Sequence, residues 1–388
     1  MSPSDRTKLV KETEYAVIGG GLVGMAIAYG LLMRGREVTV FDEGDDAFRA
    51  SRGNFGLIWV QHKGYGLPDY TRWTRLSASI WPQLRDQLTG ASGLDLHLKQ
   101  PGGLDLFLSD EEAEKGVAVL ETIRRDLGED YPYEYLDHKQ VKKLQPEIGD
   151  SVVGGTWFPE DGHVNPLFLL QAFHYVFNQL GGKLVNGASV TEIVPKQSGF
   201  QIKAQSDYHA DKVVLSAGLG NAKLAPMLGL NAPVSPNRGH ILVTERMQPF
   251  LKYPTVQIRQ VGEGAIQIGD SKEDVGLDSS TSPEVLAKIA NRARKLFPLL
   301  ESARIVRSWA ALRIMSSDGF PIYDQSETCP GASVVTCHSG VTLAASHALI
   351  LAGWLDSGEG PDFMESFSAK RFTGQHGASS QTESNAGH

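Results

Sequence analysis

Tyr15-Ala16-Val17-Ile18-Gly19-Gly20-Gly21-Leu22-Val23-Gly24 decides how this chain reads. An apolar run, a glycine triplet and a further glycine three residues on spell strand, tight turn and helix. Glycines let the backbone approach a pyrophosphate, and the N-terminus of the following helix aims its partial positive charge at that group. A second apolar run, Val38-Thr39-Val40-Phe41, ends at Asp42. A carboxylate there can accept hydrogen bonds from a ribose 2′-OH. Glu43 is adjacent and would take that place if the register moved by one residue. Strand, turn, helix, strand and acid fall within about thirty residues, as one βαβ unit requires. The context turns a weak glycine motif into a reading of dinucleotide binding.

Length and composition narrow the rest. With 388 residues the chain can bury a large core and hold about two domains. A hydrophobic content of 41% and a charged content of 21% suit a soluble globular protein. The net charge of −8 argues against nucleic acid or an anionic membrane as partner. No apolar run is long enough for a transmembrane segment. Residues 1–13 are polar and lack the apolar centre of a secretory signal, so they read as a flexible lead-in. Cys329 and Cys337 are too few to staple a chain of this size and fit a reducing compartment, so a cytoplasmic location is expected. No motif has metal-ligand spacing, and no metal is expected. Cys337-His338 reads as a packed strand end, not a ligand pair.

Outward from the first unit, the expected elements are these. A helix spans 23–34, and a polar glycine-rich loop spans 51–56. The apolar run 57–60 precedes a helix over 68–88. The alternating leucines of 94–108 read as two strands around Pro101-Gly102-Gly103. A charged helix covers 110–127. Asn165-Pro166 opens a helix that Gly181-Gly182 ends after Leu180. Strands follow at 183–185, 189–193, 200–203 and 212–215, then at 240–244, 255–258 and 265–268. A helix covers 282–299. The strand 333–337 leads through a turn into a closing helix over 343–355. The polar tail after Phe372 lacks the apolar surface to order itself. The chain leaves the nucleotide fold and returns to it twice. The expected fold is therefore α/β: a Rossmann-like nucleotide-binding domain of 14–93, 151–232 and 313–372 is interleaved with a β-sheet substrate domain of 94–150 and 233–312 that carries helices. Residues 1–13 and 373–388 are expected to be flexible termini.

This order of motifs resembles the D-amino-acid oxidase superfamily of FAD-dependent amine oxidoreductases, from Glu14 to about Phe372. The stretches that carry the resemblance are 17–24, 51–56, Val213-Val214-Leu215-Ser216-Ala217-Gly218, Pro236-Asn237-Arg238-Gly239-His240, 311–321 and His338-Ser339-Gly340-Val341-Thr342-Leu343-Ala344. Residues 54–61 and 70–74 look most like the flavin subunits of opine oxidases, hydroxyproline dehydrogenases and hydrogen cyanide synthase. The resemblance implies FAD and oxidation of a small amino acid or N-substituted amino acid (glycine, a D-amino acid, hydroxyproline or an opine). Hydride would pass from Cα to flavin N5. It also implies work in a complex with a second flavoprotein-like subunit and an iron–sulfur subunit, and any tie to the inner face of a membrane would run through them. A stand-alone oxidase of glycine, sarcosine or a D-amino acid, producing hydrogen peroxide, is the alternative. A non-catalytic flavin-binding subunit is the remote one. The ribose acid is Asp42 where Glu is more usual. Residues 311–316 hold no Cys of the kind that tethers flavin in sarcosine-oxidase relatives, so FAD should be non-covalent.

The same resemblance distributes roles. Gly19, Gly21, Leu22, Val23 and Gly24 would hold the pyrophosphate, and Asp42 or Glu43 the ribose. Ser51, Arg52, Asn54, Phe55 and Gly56 would run past the pyrophosphate and flavin, although turn chemistry alone accounts for Ser51 and Asn54. Val190 would meet adenine through its backbone, and Ala217-Gly218 would pass under the cofactor. The amides of Ser339, Gly340, Val341 and Thr342 would face the flavin pyrimidine, where negative charge gathers on reduction. Arg313 would contact the flavin and clamp a substrate carboxylate through two parallel hydrogen bonds; its plain reading is a structural salt bridge. His338 would stabilise the reduced ring or fill a turn. His240 would touch substrate or pack in a core. Trp59, Gln61 and Lys63 follow the flavin loop and would wall the pocket, although Trp59 reads equally well as core; Arg238 reads as structural. Position and electrostatics can carry hydride transfer, so no obligatory base is sought.

Overall fold

Val17, Ile18, Val40, Phe41, Val214 and Leu215 are all buried, because the strands that carry them are covered on both faces. The computed structural model describes residues 11–44 and 50–373. Its main sheet has eight strands. Across it run Ile322–Gln325, Ala332–Thr336, Asp207–Leu215, Lys11–Ile18, Val38–Asp42 and Lys183–Asn186, in that order. All but the first of these pair in parallel, with Val17 opposite both Val40 and Val214. Phe200–Lys203 and Glu192–Pro195 extend the strand Asp207–Leu215 as an antiparallel hairpin. The helices Leu22–Met33 and Pro166–Gln179 pack together against this sheet, the second capped by Asn165 as expected.

A second sheet of four strands runs Ile258–Gln260, Ala265–Ile268, Val234–Arg246, Ile305–Ser316. A third, of three strands, runs Gly103–Phe107, Gly154–Phe158, Glu134–Asp137. The helix Pro283–Leu296 covers the strands Ala265–Ile268 and Val234–Arg246. The long helix Pro68–Ser92 packs against the helical run that closes the chain.

Several expectations need correcting. Residues 11–13, expected in a flexible lead-in, belong to the first strand and pair with Tyr208, His209 and Ala210. Residues 1–10, 45–49 and 374–388 lie outside the described residues. The leucines of 94–98 form no strand. Leu96 is buried and Leu94 and Leu98 lie against the main core, while His97 takes a φ of 53°. Their alternation comes from chain draped over a core, with one bridge from Lys99 to His163. The partner of Gly103–Phe107 is Gly154–Phe158. In place of the expected strands at 189–193 and 255–258 stand Glu192–Pro195 and Ile258–Gln260. The twelve-residue strand Ile305–Ser316 is not among the expected elements, and only its end falls within a motif. It pairs with the neighbouring strand from Val234 opposite Ser316 to Thr244 opposite Ile305. It therefore runs unbroken through the expected boundary at 312–313. The closing helix is Ala344–Ser346 and Ala352–Ser357 with a π-turn, His347–Leu351, between them.

Candidate active site

The C-terminal ends of the parallel strands form the first wall of the site. The glycine turn leaves the strand Lys11–Ile18 where Gly19 N–H donates to Phe41 O (2.8 Å). A Cβ on Gly24 would lie 1.9 Å from Gly19 O, so only glycine lets the helix start press onto the turn. Ser51 Oγ accepts from Leu22 N (2.9 Å) and so caps a helix whose own N-cap, Gly21, has no side chain to do it. Asp42 fills the corner beside the turn: Oδ2 accepts from Gly20 N (2.7 Å) and Oδ1 from Gly44 N (2.9 Å). Glu43 points elsewhere, accepting from Ser189 Oγ at 3.5 Å. This register makes Asp42 the acid at the cradle. Val190 is half-buried against the outer part of the same sheet. Ala217 N donates to Asn221 Oδ1 (2.8 Å), and Gly218, at φ 59°, faces Ile314.

From this wall a cavity of about 200 Å³ opens toward the second sheet. Leu22, Val23, Ser51, Asn54, Phe55 and Trp59 line one side, His240 and Arg313 another, and His338 to Thr342 the end. Asn54 Oδ1 accepts from Gly56 N (2.7 Å), the turn chemistry that was its plainer reading. Gly56 itself is buried over the Arg259 guanidinium, and Arg52 is exposed on the turn before it. The end turn is held from outside. Thr342 Oγ1 accepts from Trp59 N (3.1 Å), while Thr342 O accepts from Ser77 Oγ (2.7 Å) and Trp81 Nε1 (3.1 Å) of the long helix. The amides of Gly340, Val341 and Thr342 have no internal acceptor among the described residues. Tyr70 donates to Ser339 Oγ (2.8 Å), which sits 3.2 Å from His338 Nδ1. Ser339 thus directs its own proton to Nδ1, leaving the ring proton on Nε2. Burial, with Lys63, Arg313 and Lys272 nearby, pushes His338 well below the usual imidazole range and keeps it neutral.

The guanidinium of Arg313 lies over Gly239, where a Cβ would come 2.5 Å from its Cζ. Nη1 donates to Ser271 O (2.6 Å) and Asn237 Oδ1 (3.2 Å), and Nη2 to Asp270 Oδ1 (3.0 Å). Among the described residues, Nε–H and one N–H of Nη2 have no acceptor and can serve a ligand. Asp270 and Lys272 were not picked out from the sequence; the strand-ending Gly269-Asp270 was the available signal.

Two expected pocket residues are engaged elsewhere. Gln61 is fully buried outside the cavity: its Nε2 donates to Asp161 Oδ2 (2.7 Å) and its Oε1 accepts from Thr156 (2.9 Å). His240 touches the cavity, but both ring nitrogens are occupied. Nε2 accepts from Ser282 N (2.9 Å), which places the proton on Nδ1 toward Ser271 Oγ and Glu273, each at 3.0 Å. Burial lowers its proton affinity further. It ties strand to loop, and Arg238 does the same through Glu273 and Asp278.

Amide donors at a helix start, a fixed carboxylate, a polar connecting loop and a second set of open amides suit a long ligand with an anionic middle and a polar ring at each end. The buried indole N–H of Trp59 also lacks a protein acceptor. FAD has that chemistry, and the residues fit it. The arrangement defines a flavin-dependent redox enzyme. Residues 14–354 match the family of FAD dependent oxidoreductases called DAO, and the chain belongs to it. One of the subunits of opine oxidase from Agrobacterium tumefaciens is 42% identical over 366 residues, covering 94% of this chain and 99% of that protein. The HcnC subunit of hydrogen cyanide synthase from Pseudomonas aeruginosa is 26% identical over 353 residues, 80% of this chain and 84% of that one. The crystal structure of glycine oxidase from Geobacillus kaustophilus superposes with a TM-score of 0.86 at 25% identity, covering 92% of this chain and 98% of that one. The expected fold class is that of this protein, and FAD is its cofactor. Among the described residues no cluster of His, Cys, Asp and Glu is gathered for a metal, and no helix is long and apolar enough to cross a membrane.

Proposed function

We propose that this protein oxidises the C–N bond of a small amino acid or N-substituted amino acid, with Arg313 holding the substrate carboxylate. The observation that carries this reading is the pair of unspent N–H groups on Arg313, facing a cavity whose far end is the open-amide turn 340–342. FAD supplies the electron-accepting ring when bound. The chain's own groups do the rest. Gly19, Gly21, Leu22, Val23, Gly24 and Asp42 hold the dinucleotide, and the loop of Ser51, Arg52, Asn54, Phe55 and Gly56 closes over it. Val190, Ala217 and Gly218 complete the far side. Arg313 orients Cα–H, Trp59 walls the pocket, and the amides of 340–342 with neutral His338 stabilise negative charge.

Similarity to the opine oxidase chain supports a dehydrogenase subunit that passes electrons to a second flavoprotein-like subunit and an iron–sulfur subunit. The likeness to glycine oxidase supports the second reading, a stand-alone oxidase. An anaerobic flavin-reduction screen over glycine, sarcosine, D- and L-amino acids, hydroxyprolines and opines tests the main claim. Bleaching by at least one of these amines is expected, and bleaching by none refutes it. Faster turnover with acceptor dyes than with air supports the reading as part of a complex; rapid stoichiometric peroxide from the isolated chain overturns it.

A further inference from the structure

The loop between the strand Ala265–Ile268 and the helix Pro283–Leu296 has no apolar anchor. From Asp270 to Ser282 no residue is buried, and Val275 and Leu277 are exposed. Such a segment depends on polar ties for its place. Arg238 holds its middle, by a backbone bridge to Glu273 and by ion pairs to Glu273 (3.1 Å) and Asp278 (2.6 Å). His240 closes its neck, since one imidazole takes both ends of the loop. Nδ1–H points between Ser271 Oγ and Glu273, each at 3.0 Å, and Nε2 accepts from Ser282 N (2.9 Å). Arg313 leans on the same loop: Nη1 donates to Ser271 O (2.6 Å) and Nη2 to Asp270 Oδ1 (3.0 Å). Ser271 therefore stands between the imidazole and the guanidinium, one on its hydroxyl and the other on its carbonyl.

We propose that His240 is a positioning residue that latches the loop 270–282 shut and, through Ser271, aims the free edge of Arg313 into the cavity. This deepens the functional reading above and rests on it, because the carboxylate clamp is what the latch aligns.

The latch needs a neutral ring. Nε2 must offer a lone pair to Ser282 N–H, and a proton there sets two donors against each other. A charged ring would also favour the Glu273 carboxylate over Ser271 Oγ. Burial lowers the proton affinity of His240, Arg238 and Arg313 add to the effect, and Glu273 and Asp278 oppose it. Arg238 holds Glu273, and Ser280 holds Asp278, below the usual carboxylate range, so both stay ionised while His240 titrates. Asp270 and Lys272, the remaining charges on this part of the loop, line the cavity. With the imidazole held below its ordinary range, the latch is intact at neutral pH and is lost as pH falls through that lowered value.

The probe is (methylthio)acetate, a carboxylate in which a thioether replaces the amine, so that it is not oxidised as an amine. Calorimetric binding of the probe and peptide-level hydrogen exchange over 270–282 are measured on the FAD-loaded protein from neutral to mildly acid pH. In wild type the protection of the loop, corrected for the intrinsic pH dependence of exchange, should fall on the acid side, and probe affinity should fall with it. His240→Gln sets a neutral amide oxygen near the place of Nε2; it should hold affinity within ~3-fold of wild type at neutral pH and show no acid-side fall. His240→Phe fills the space without the bonds; it should keep its FAD, lose loop protection at every pH and weaken the probe by ~10-fold, the equivalent of about one hydrogen bond. Lys63, which burial lowers to about 7, titrates alike in all three proteins and cancels in the comparison. Should His240→Phe fail to fold, the acid-side difference between wild type and His240→Gln decides alone. Protection that responds neither to pH nor to the residue at 240, or an acid-side fall that persists in His240→Gln, overturns the latch. A loop that loosens in His240→Phe while the probe binds as in wild type overturns the link to Arg313. Unchanged probe binding in Arg313→Ala overturns the carboxylate reading itself, whatever the loop does.

Discussion

Arg313→Ala is the sharpest test of the site. The side chain is 26% exposed and shares its charge with Asp270. Its removal leaves the substrate carboxylate without its clamp and takes an ion-pair partner from Asp270. Truncating one member of a buried, hydrogen-bonded charge pair costs about 2–5 kcal/mol. Partial exposure places Arg313 toward the lower end, so a loss of ~30–100-fold in reduction efficiency is expected. The measurement is anaerobic stopped-flow reduction of the bound flavin, with rate and substrate affinity resolved separately. FAD content should remain near wild type, since Arg313 stands on the second sheet, away from the glycine cradle. Arg313→Lys should recover only part of the loss, because an ammonium cannot serve Asp270 and a substrate carboxylate with one planar fork. Gly239→Ala perturbs the same group without touching its charge: the new Cβ, 2.5 Å from Cζ, displaces the guanidinium and should produce a similar defect. Normal reduction kinetics in Arg313→Ala would refute the assignment. Loss of FAD would show that the arginine supports the cofactor or the fold instead.

Other outcomes are equally concrete. Gly24→Ala places a Cβ 1.9 Å from Gly19 O and should yield protein that retains little or no flavin on purification; a yellow, stable variant would contradict the cradle. Gln61→Leu leaves the hydrogen-bonding groups of Asp161 and Thr156 unsatisfied. It should lower stability by about 1–3 kcal/mol in a denaturant titration, while changing substrate affinity by less than ~3-fold. A large affinity change would return Gln61 to the pocket. Acid precipitation should release FAD into the supernatant, since no Cys stands in 311–316 and the Cys337 thiol is held at about 12; flavin that stays with the pellet would indicate a covalent bond.

The nucleotide half was legible because its signals are local. Ile18, Gly24, Phe41 and Asp42 lie within one short unit, and period, turn and acid point to the same fold. The substrate half was less legible for a physical reason. Gln61 follows the flavin loop like a pocket residue, yet its partners, Thr156 and Asp161, are 95 and 100 residues away, and they decide where its amide points. His240 likewise looks catalytic on its strand until Ser271, Glu273 and Ser282 arrive from other segments to occupy its ring. The strand Ile305–Ser316 hid because its apolar and charged residues do not alternate: Ile305 to Ser308 are exposed, while Trp309, Ala310 and Ala311 are buried in succession. Leu94, Leu96 and Leu98 alternate well and form no strand. In both places long-range packing overrode local pattern.

The tie from Thr342 to Trp59, Ser77 and Trp81 bears on how the protein is made. Those bonds join residues 261–283 positions apart, and the first strand of the main sheet finds one neighbour only at Asp207–Leu215. Contacts this distant in the chain form late. On the ribosome the glycine cradle emerges well before the turn that completes the opposite end of the cavity. A nascent chain halted before Ser339 would have half a binding site, with apolar strand edges exposed. Because FAD binds only where both ends of the cavity are assembled, it stabilises the folded chain by mass action.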